Sequence, residues 1–195
     1  MKTPLLTALL LAITCLAMAQ LPSGWQSCTI GNANGSASFN NDAFTLSSKG
    51  YSSSSSDVIE YVYKEVSGNA SIVCHVVSIS GSGWAALHFR ESCSPGSRKV
   101  TFKTQLYNPM VRSEFRPVAN GSTTVREFVC PNITWLRLER TGNTFRGYTS
   151  TNGQQWKLVF TLTNQMTDAV LLGIISEGYS FNVATTVMFD QVSLQ

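Results

Sequence analysis

The chain has 195 residues, 14 Lys and Arg against 11 Asp and Glu, a net charge of +3 and 43% hydrophobic residues. So small an excess of positive charge excludes nucleic acid as the organising partner, and the length fits one domain with a full core of its own. Beyond residue 20 no run approaches the roughly 18 uninterrupted apolar residues of a membrane-spanning helix.

The first element is a leader. Lys2 is followed by the apolar run Leu5, Leu6, Leu9, Leu10, Leu11, Ile13 and Leu16, which closes on Ala17-Met18-Ala19. This is the pattern of a secretory signal peptide over residues 1–19 with an A-x-A cleavage site, so a secreted, extracellular mature chain is expected from Gln20. Cleavage removes Cys15 and leaves Cys28, Cys74, Cys93 and Cys130. An even number in an oxidising compartment predicts two disulfides, in any of three pairings. Zinc is disfavoured, because no C-x-x-C occurs and the histidines are only His75 and His88.

Short runs rich in Val, Ile, Thr, Phe and Tyr then alternate with Gly, Asn, Ser and Pro, the pattern of an all-β antiparallel fold. Strands are predicted at Ala43–Ser47, Val58–Val66, Ser71–Ile79, Trp84–Glu91, Lys99–Tyr107, Val111–Arg116, Thr124–Val129, Thr134–Arg140, Thr144–Ser150, Trp156–Thr161, Ala169–Ser176 and Thr185–Leu194. One domain is expected over residues 20–195. The serine run YSSSSSD, Tyr51–Asp57, reads as a flexible surface loop. Turns are marked by Ser94-Pro95-Gly96, Gly142-Asn143 and Asn152-Gly153.

Neighbouring residues of a strand point to opposite faces. Ala85, Leu87 and Phe89 therefore oppose Trp84, Ala86, His88 and Arg90; Leu136 and Leu138 oppose Trp135, Arg137 and Glu139; Val111 and Phe115 oppose Arg112, Glu114 and Arg116. Several strands thus offer a core face and a face mixing Trp, Arg and Glu, read here as one decorated groove.

Catalysis finds little material. Glycoside hydrolysis needs two carboxylates at matched distances, yet Glu114 and Glu139 each sit among arginines, where ion pairing is the simpler use. There is no G-x-S-x-G, no phosphate loop and no dinucleotide fingerprint. No cofactor is expected: Asn40, Asn41 and Asp42 offer oxygen ligands for calcium, but N-N-D before a strand reads as a turn. Binding is better supplied, because aromatic rings cover the apolar side of a sugar while polar side chains bond its hydroxyls. The expected ligand-binding residues are Trp84, His88, Arg90, Tyr107, Arg116, Trp135, Arg137 and Tyr148, whereas Trp156 reads as packing. Sequons at Asn34, Asn69, Asn120 and Asn132 would permit glycosylation.

Four stretches carry a family resemblance: GSASFNNDAFTLSSKG at residues 35–50, WAALHFRES at 84–92, WLRLERTGNTFRGYTSTNGQQW at 135–156 and ATTVMFDQVSL at 184–194. They resemble the concanavalin A-like jelly rolls grouped as domain of unknown function 1349, also labelled regulation of enolase. The chain departs from that pattern at Asn152-Gly153, where the family commonly has D-G, and by placing Cys93 directly after R-E-S. The resemblance implies a two-sheet β-sandwich of laminin-G-like type, usual in secreted proteins and often beside carbohydrate-active domains, with no established activity. The expected function is a non-catalytic, lectin-like module recognising glycans or extracellular matrix on one sheet face. A structural or protein-interaction component of a matrix, coat or adhesive is the alternative, and a weak glycoside hydrolase the third.

Overall fold

The computed structural model describes residues 20–195, so the expected signal peptide lies outside the described residues. Fourteen strands follow one another: β1 (Gln26–Ile30), β2 (Ser36–Asn40), β3 (Ala43–Ser48), β4 (Ile59–Ser67), β5 (Ala70–Ser80), β6 (Trp84–Arg90), β7 (Lys99–Gln105), β8 (Asn108–Arg116), β9 (Thr124–Val129), β10 (Trp135–Thr141), β11 (Thr144–Ser150), β12 (Lys157–Thr163), β13 (Ala169–Glu177) and β14 (Thr185–Leu194). The twelve predicted strands are present with ends moved by at most three residues. The two unpredicted ones, β1 and β2, are short and mostly exposed or half-buried.

Two seven-stranded antiparallel sheets form a jelly-roll sandwich. The first runs β1-β4-β13-β6-β7-β8-β9 and the second β12-β11-β10-β5-β14-β3-β2. Alternation sends Val62, Leu87, Phe89, Phe102 and Leu172 inward from the first sheet to meet Leu46, Ile72, Leu136, Leu138, Phe145 and Phe189 from the second. All of these are fully buried, and each such side chain contributes roughly 1.5–3 kcal/mol by leaving water.

The turns follow from local chemistry. Asn41 (φ 49°) and Asp42 (φ 60°) both take the left-handed conformation between β2 and β3, as a two-residue primed hairpin requires. Gly142 (φ 57°) turns β10 into β11. Asn152-Gly153 turns within a longer link, organised by Ser150 Oγ, which accepts from the N–H groups of Asn152 and Gly153.

Two expectations are corrected. Among the described residues there is one disulfide, Cys28–Cys93, while Cys74 and Cys130 are free and buried. Cys74 lies on the inner face of central β5, opposite Leu136, whereas Cys130 follows β9 at the edge of the other sheet. The serine run is a surface segment but is pinned along its length. Gly50 N–H donates to Ser180 O (2.7 Å), Ser52 N–H to Glu177 Oε1 (3.2 Å) and Asp57 N–H to Pro95 O (3.0 Å), and Ser54 O accepts from Thr123 N–H (2.7 Å). We call residues 49–58 the strap.

Candidate functional site

The outer face of the first sheet is built from every second residue of β4, β13, β6, β7 and β8. Register places Tyr61, Ile175, Ala86, Lys103 and Arg112 in one row, Tyr63, Gly173, His88, Thr101 and Glu114 in the next, and Leu171, Arg90, Lys99 and Arg116 beyond. Chains of alternating polar residues such as Lys99, Thr101 and Lys103 would normally face water. Here they are buried.

The strap is what buries them at the Arg116 end. Asp57, 0% exposed, takes bonds from Lys99 Nζ (2.7 Å), Arg90 Nη1 (3.2 Å) and both terminal nitrogens of Arg116 (2.9 Å each). Burial alone would push its carboxyl up, but the charges of Lys99, Arg116 and Arg90 outweigh that and hold it well below the usual carboxylate range. Arg90 also donates to His88 Nε2 (3.1 Å). An arginine cannot accept, so Nε2 carries the lone pair and the imidazole proton sits on Nδ1, directed at Thr101 Oγ1 (2.8 Å). Burial, with Arg90 and Lys99 nearby, pushes His88 well below its ordinary range and keeps it neutral.

Toward the Trp84 end the face opens into a recess of about 450 Å³ lined by Tyr51, Ser52, Trp84, Lys103, Arg112, Glu114, Val125, Glu177, Gly178 and Tyr179. Lys103 Nζ lies 2.6 Å from Glu114 and 2.9 Å from Glu177. The Trp84 ring has the Arg112 guanidinium 4.4 Å and the Lys103 ammonium 5.1 Å from its centroid, a cation–π arrangement. Arg112 also pairs with Glu127 at 2.6 Å, while its Nε has no hydrogen-bond partner among the described residues. Burial would push Glu114 up, but Lys103 and Lys99 outweigh it and lower its pKa.

The predicted binding residues do not share one groove. Trp84, His88, Arg90 and Arg116 belong to the outer face of the first sheet, Trp135, Arg137 and Tyr148 to that of the second. Within the first group, His88, Arg90 and Arg116 are sealed in the Asp57 cluster instead of facing a ligand; each is at most 1% exposed. Tyr107 lies in the β7–β8 turn, 60% exposed, its hydroxyl donating to Ser82 O (2.9 Å). In the second group, Trp135 packs on His75 (ring centroids 4.8 Å apart), His75 Nδ1 meets Asp190 (2.8 Å), Arg137 pairs with Glu139, and the Arg137 guanidinium sits 5.6 Å from the Tyr148 ring centroid. These side chains brace one another. The larger hollow of about 900 Å³ beside Val77, Met188 and Asp190 gathers none of the predicted ligand-binding residues but is lined by Asn40, Asn41 and Asp42 of the β2–β3 turn, and its aromatics Trp25, Phe39 and Phe44 are packed into each other and the core.

Sequence reasoning missed Asp57, Lys99, Lys103, Glu177, Tyr51 and Tyr179 as parts of this face. For the lysines a signal existed, since KVTFKTQ alternates as clearly as WAALHFR.

No family model matches the chain, and no curated protein matches it. Among solved structures it is similar to a functionally unknown protein from Saccharomyces cerevisiae, with a TM-score of 0.67, 17% identity, and 89% of this chain and 96% of that one covered. It is also similar to the carbohydrate-binding module CBM66 from Bacillus subtilis (TM-score 0.59, 17% identity, 88% and 95% covered). A third is a prokaryotic beta-1,3-1,4-glucanase (lichenase) from a mouse hindgut metagenome (TM-score 0.54, 10% identity, 89% and 94% covered). Likeness at such identity shows a shared jelly-roll sandwich fold and leaves function to the site.

Proposed function

We propose that the chain is a secreted, non-catalytic carbohydrate-binding module and that its glycan sits in the Trp84 recess. The carrying observation is the recess itself: the rings of Tyr51 and Tyr179, 48% and 68% exposed, stand beside Lys103, Arg112 and two carboxylates, with Trp84, 5% exposed, packed against Arg112, and together they supply the apolar and hydrogen-bonding halves of a sugar site. Acid–base hydrolysis is disfavoured, because a general acid must hold its proton at working pH and Glu114 is tied ionised to Lys103. Solved neighbours that are a carbohydrate-binding module and a glucanase support the glycan class. Secretion belongs to the same reading, supported by the leader, the disulfide and four exposed sequon asparagines, Asn34, Asn69, Asn120 and Asn132. A glycan array with the purified mature protein, in calcium and in chelator, tests it; a folded protein that binds nothing on the array sinks it.

The alternative, a matrix or adhesive component, draws on one apolar tip beside the recess. Tyr51 and Phe181 pack 5.3 Å apart while roughly half exposed, near the exposed Val183. Capture of extracellular protein that survives deglycosylation and is lost in Phe181→Ser would favour that reading.

A further inference from the structure

Among the described residues every exposed aromatic side chain stands at one end of the sandwich: Tyr51 (48%), Tyr107 (60%), Tyr179 (68%) and Phe181 (52%). Strand register gathers them there. Ser48 at the end of β3 pairs with Thr185 at the start of β14, Glu177 at the end of β13 with Trp84 at the start of β6, and Ala85 with Thr104 near the end of β7. The strap and the links 81–83, 106–107 and 178–184 therefore leave the sheets at the same tip. Two of the rings are braced although exposed: Tyr51 packs on Phe181 with ring centroids 5.3 Å apart, and the Tyr107 hydroxyl donates to Ser82 O at 2.9 Å. Tyr179 adjoins both. It lines the recess with Tyr51, and, after partial burial, its nearness pushes the Tyr107 phenol up. Strands β13 and β7 flank β6, so Tyr179 and Tyr107 are rooted roughly 10 Å apart, farther than one sugar ring reaches.

Resting on the glycan-binding reading above, we propose that the site takes the interior of an uncharged polysaccharide, which runs from the β9 side through the recess and out over the tip, its rings stacking on Tyr179 and then Tyr107. A chain interior must leave a site in two directions, and the recess is open in two. One opening faces the edge strand β9, where the Glu127 side chain is 46% and Val125 48% exposed; the other is the exposed wall of Tyr51 and Tyr179. Toward Arg116 the way is closed by Asp57. Exposed rings can cover the apolar side of a sugar, and rings already held by their neighbours lose little freedom when they do so. Charge selects the class. Lys103 is held between Glu114 and Glu177, Arg112 pairs with Glu127, and the links 81–83, 106–107 and 178–184 contain no charged residue, so nothing recruits a sulfated or uronic chain.

The test is calorimetry of the mature protein with manno-, xylo-, gluco- and fructo-oligosaccharides of one to six residues, beside the parent polymers with free and chemically capped ends, a polyuronate and a sulfated galactan. For the neutral series that binds, affinity should rise by about tenfold or more between two residues and four, and capping the polymer ends should change nothing. Tyr107→Ala, at an exposed turn, should erase most of that rise, leaving the two lengths within about threefold of each other. Tyr107→Phe, which keeps the ring, should preserve it. Tyr179→Ala should weaken every length of four or more by about tenfold, while Lys157→Ala on the other sheet should alter none. Affinity that levels off at one or two residues, that ignores both alanine variants, or that is confined to the charged polymers overturns recognition of a neutral chain interior across the tip and leaves glycan binding standing. A folded protein that binds none of the series or polymers overturns both.

Discussion

Arg116 donates from both terminal nitrogens to Asp57, Nη1 to Oδ2 and Nη2 to Oδ1 at 2.9 Å each, across 59 residues of chain. Fork-to-fork pairing is a strong form of ion pair, and this one is dry, with both side chains 0% exposed. The same carboxylate also answers Arg90 and Lys99. Asp57→Asn keeps the shape but leaves three cations buried around a neutral amide. Urea unfolding at pH 7 should show a loss of about 3–5 kcal/mol; a loss below about 1 kcal/mol would mean the cluster is as weak as an exposed pair.

The same cluster sets an acid limit. His88 is pushed below its ordinary value of 6.5, and Asp57 and Glu114 are held below theirs of 3.8 and 4.5. In each case the folded pKa is the lower, so the unfolded chain binds the proton first as pH falls. The stability these groups add is whole above the unfolded values and is lost as pH drops toward the folded ones. Stability should therefore begin to fall below pH 6.5, by about 1.4 kcal/mol per pH unit from the single proton on His88, and more steeply below about 4.5 as the carboxylates join. Urea curves collected from pH 8 to pH 3 measure this, and a flat profile between 6.5 and 5 would show that His88 takes up its proton inside the fold.

The four cysteines divide into one bridge and two buried thiols. Cys28–Cys93 closes 65 residues and ties β1 to the loop after β6, whereas Cys74 is wholly buried and burial pushes its thiol up, as it does that of Cys130. Non-reducing peptide mapping should find Cys28 joined to Cys93. Alkylation should label no thiol in the native protein and two in denaturant; a Cys74–Cys130 peptide would overturn the assignment. Cys28→Ser with Cys93→Ser should cost about 2–4 kcal/mol in unfolding.

Much of this fold was readable because strand alternation is local. Leu87 against His88 and Leu136 against Arg137 divide as expected, and each lies on the side that its neighbours dictate. Strands β1 and β2 escaped notice because QSCTI and SASFN lack the apolar rhythm of a half-buried strand; their order comes from pairing with β4 and β3. Sheet membership is not local at all. Trp84 and Trp135 open similar segments, yet partner choice between distant strands puts them on opposite outer faces. Asp57 was hidden for a related reason, since nothing in YSSSSSD says that its last residue meets cations 33, 42 and 59 residues away.

The opposite placement of those two tryptophans makes the binding site testable by mutation. If glycan binds at the first sheet, removing Arg112 takes away the cation over Trp84 and a guanidinium that lines the recess, a loss of about 1.5–3 kcal/mol for one hydrogen bond to a charged group. Arg112→Ala should then weaken glycan affinity by about tenfold or more. Trp84→Phe, which keeps the buried volume partly filled, should do so less severely. On the second sheet, Trp135 and Arg137 are already engaged with His75, Glu139 and Tyr148. Arg137→Ala should alter affinity by less than about twofold, because it exposes no part of the recess. The opposite ranking, with Arg137→Ala destructive and Arg112→Ala silent in proteins of equal stability, would move the site to the face of β10 and β11.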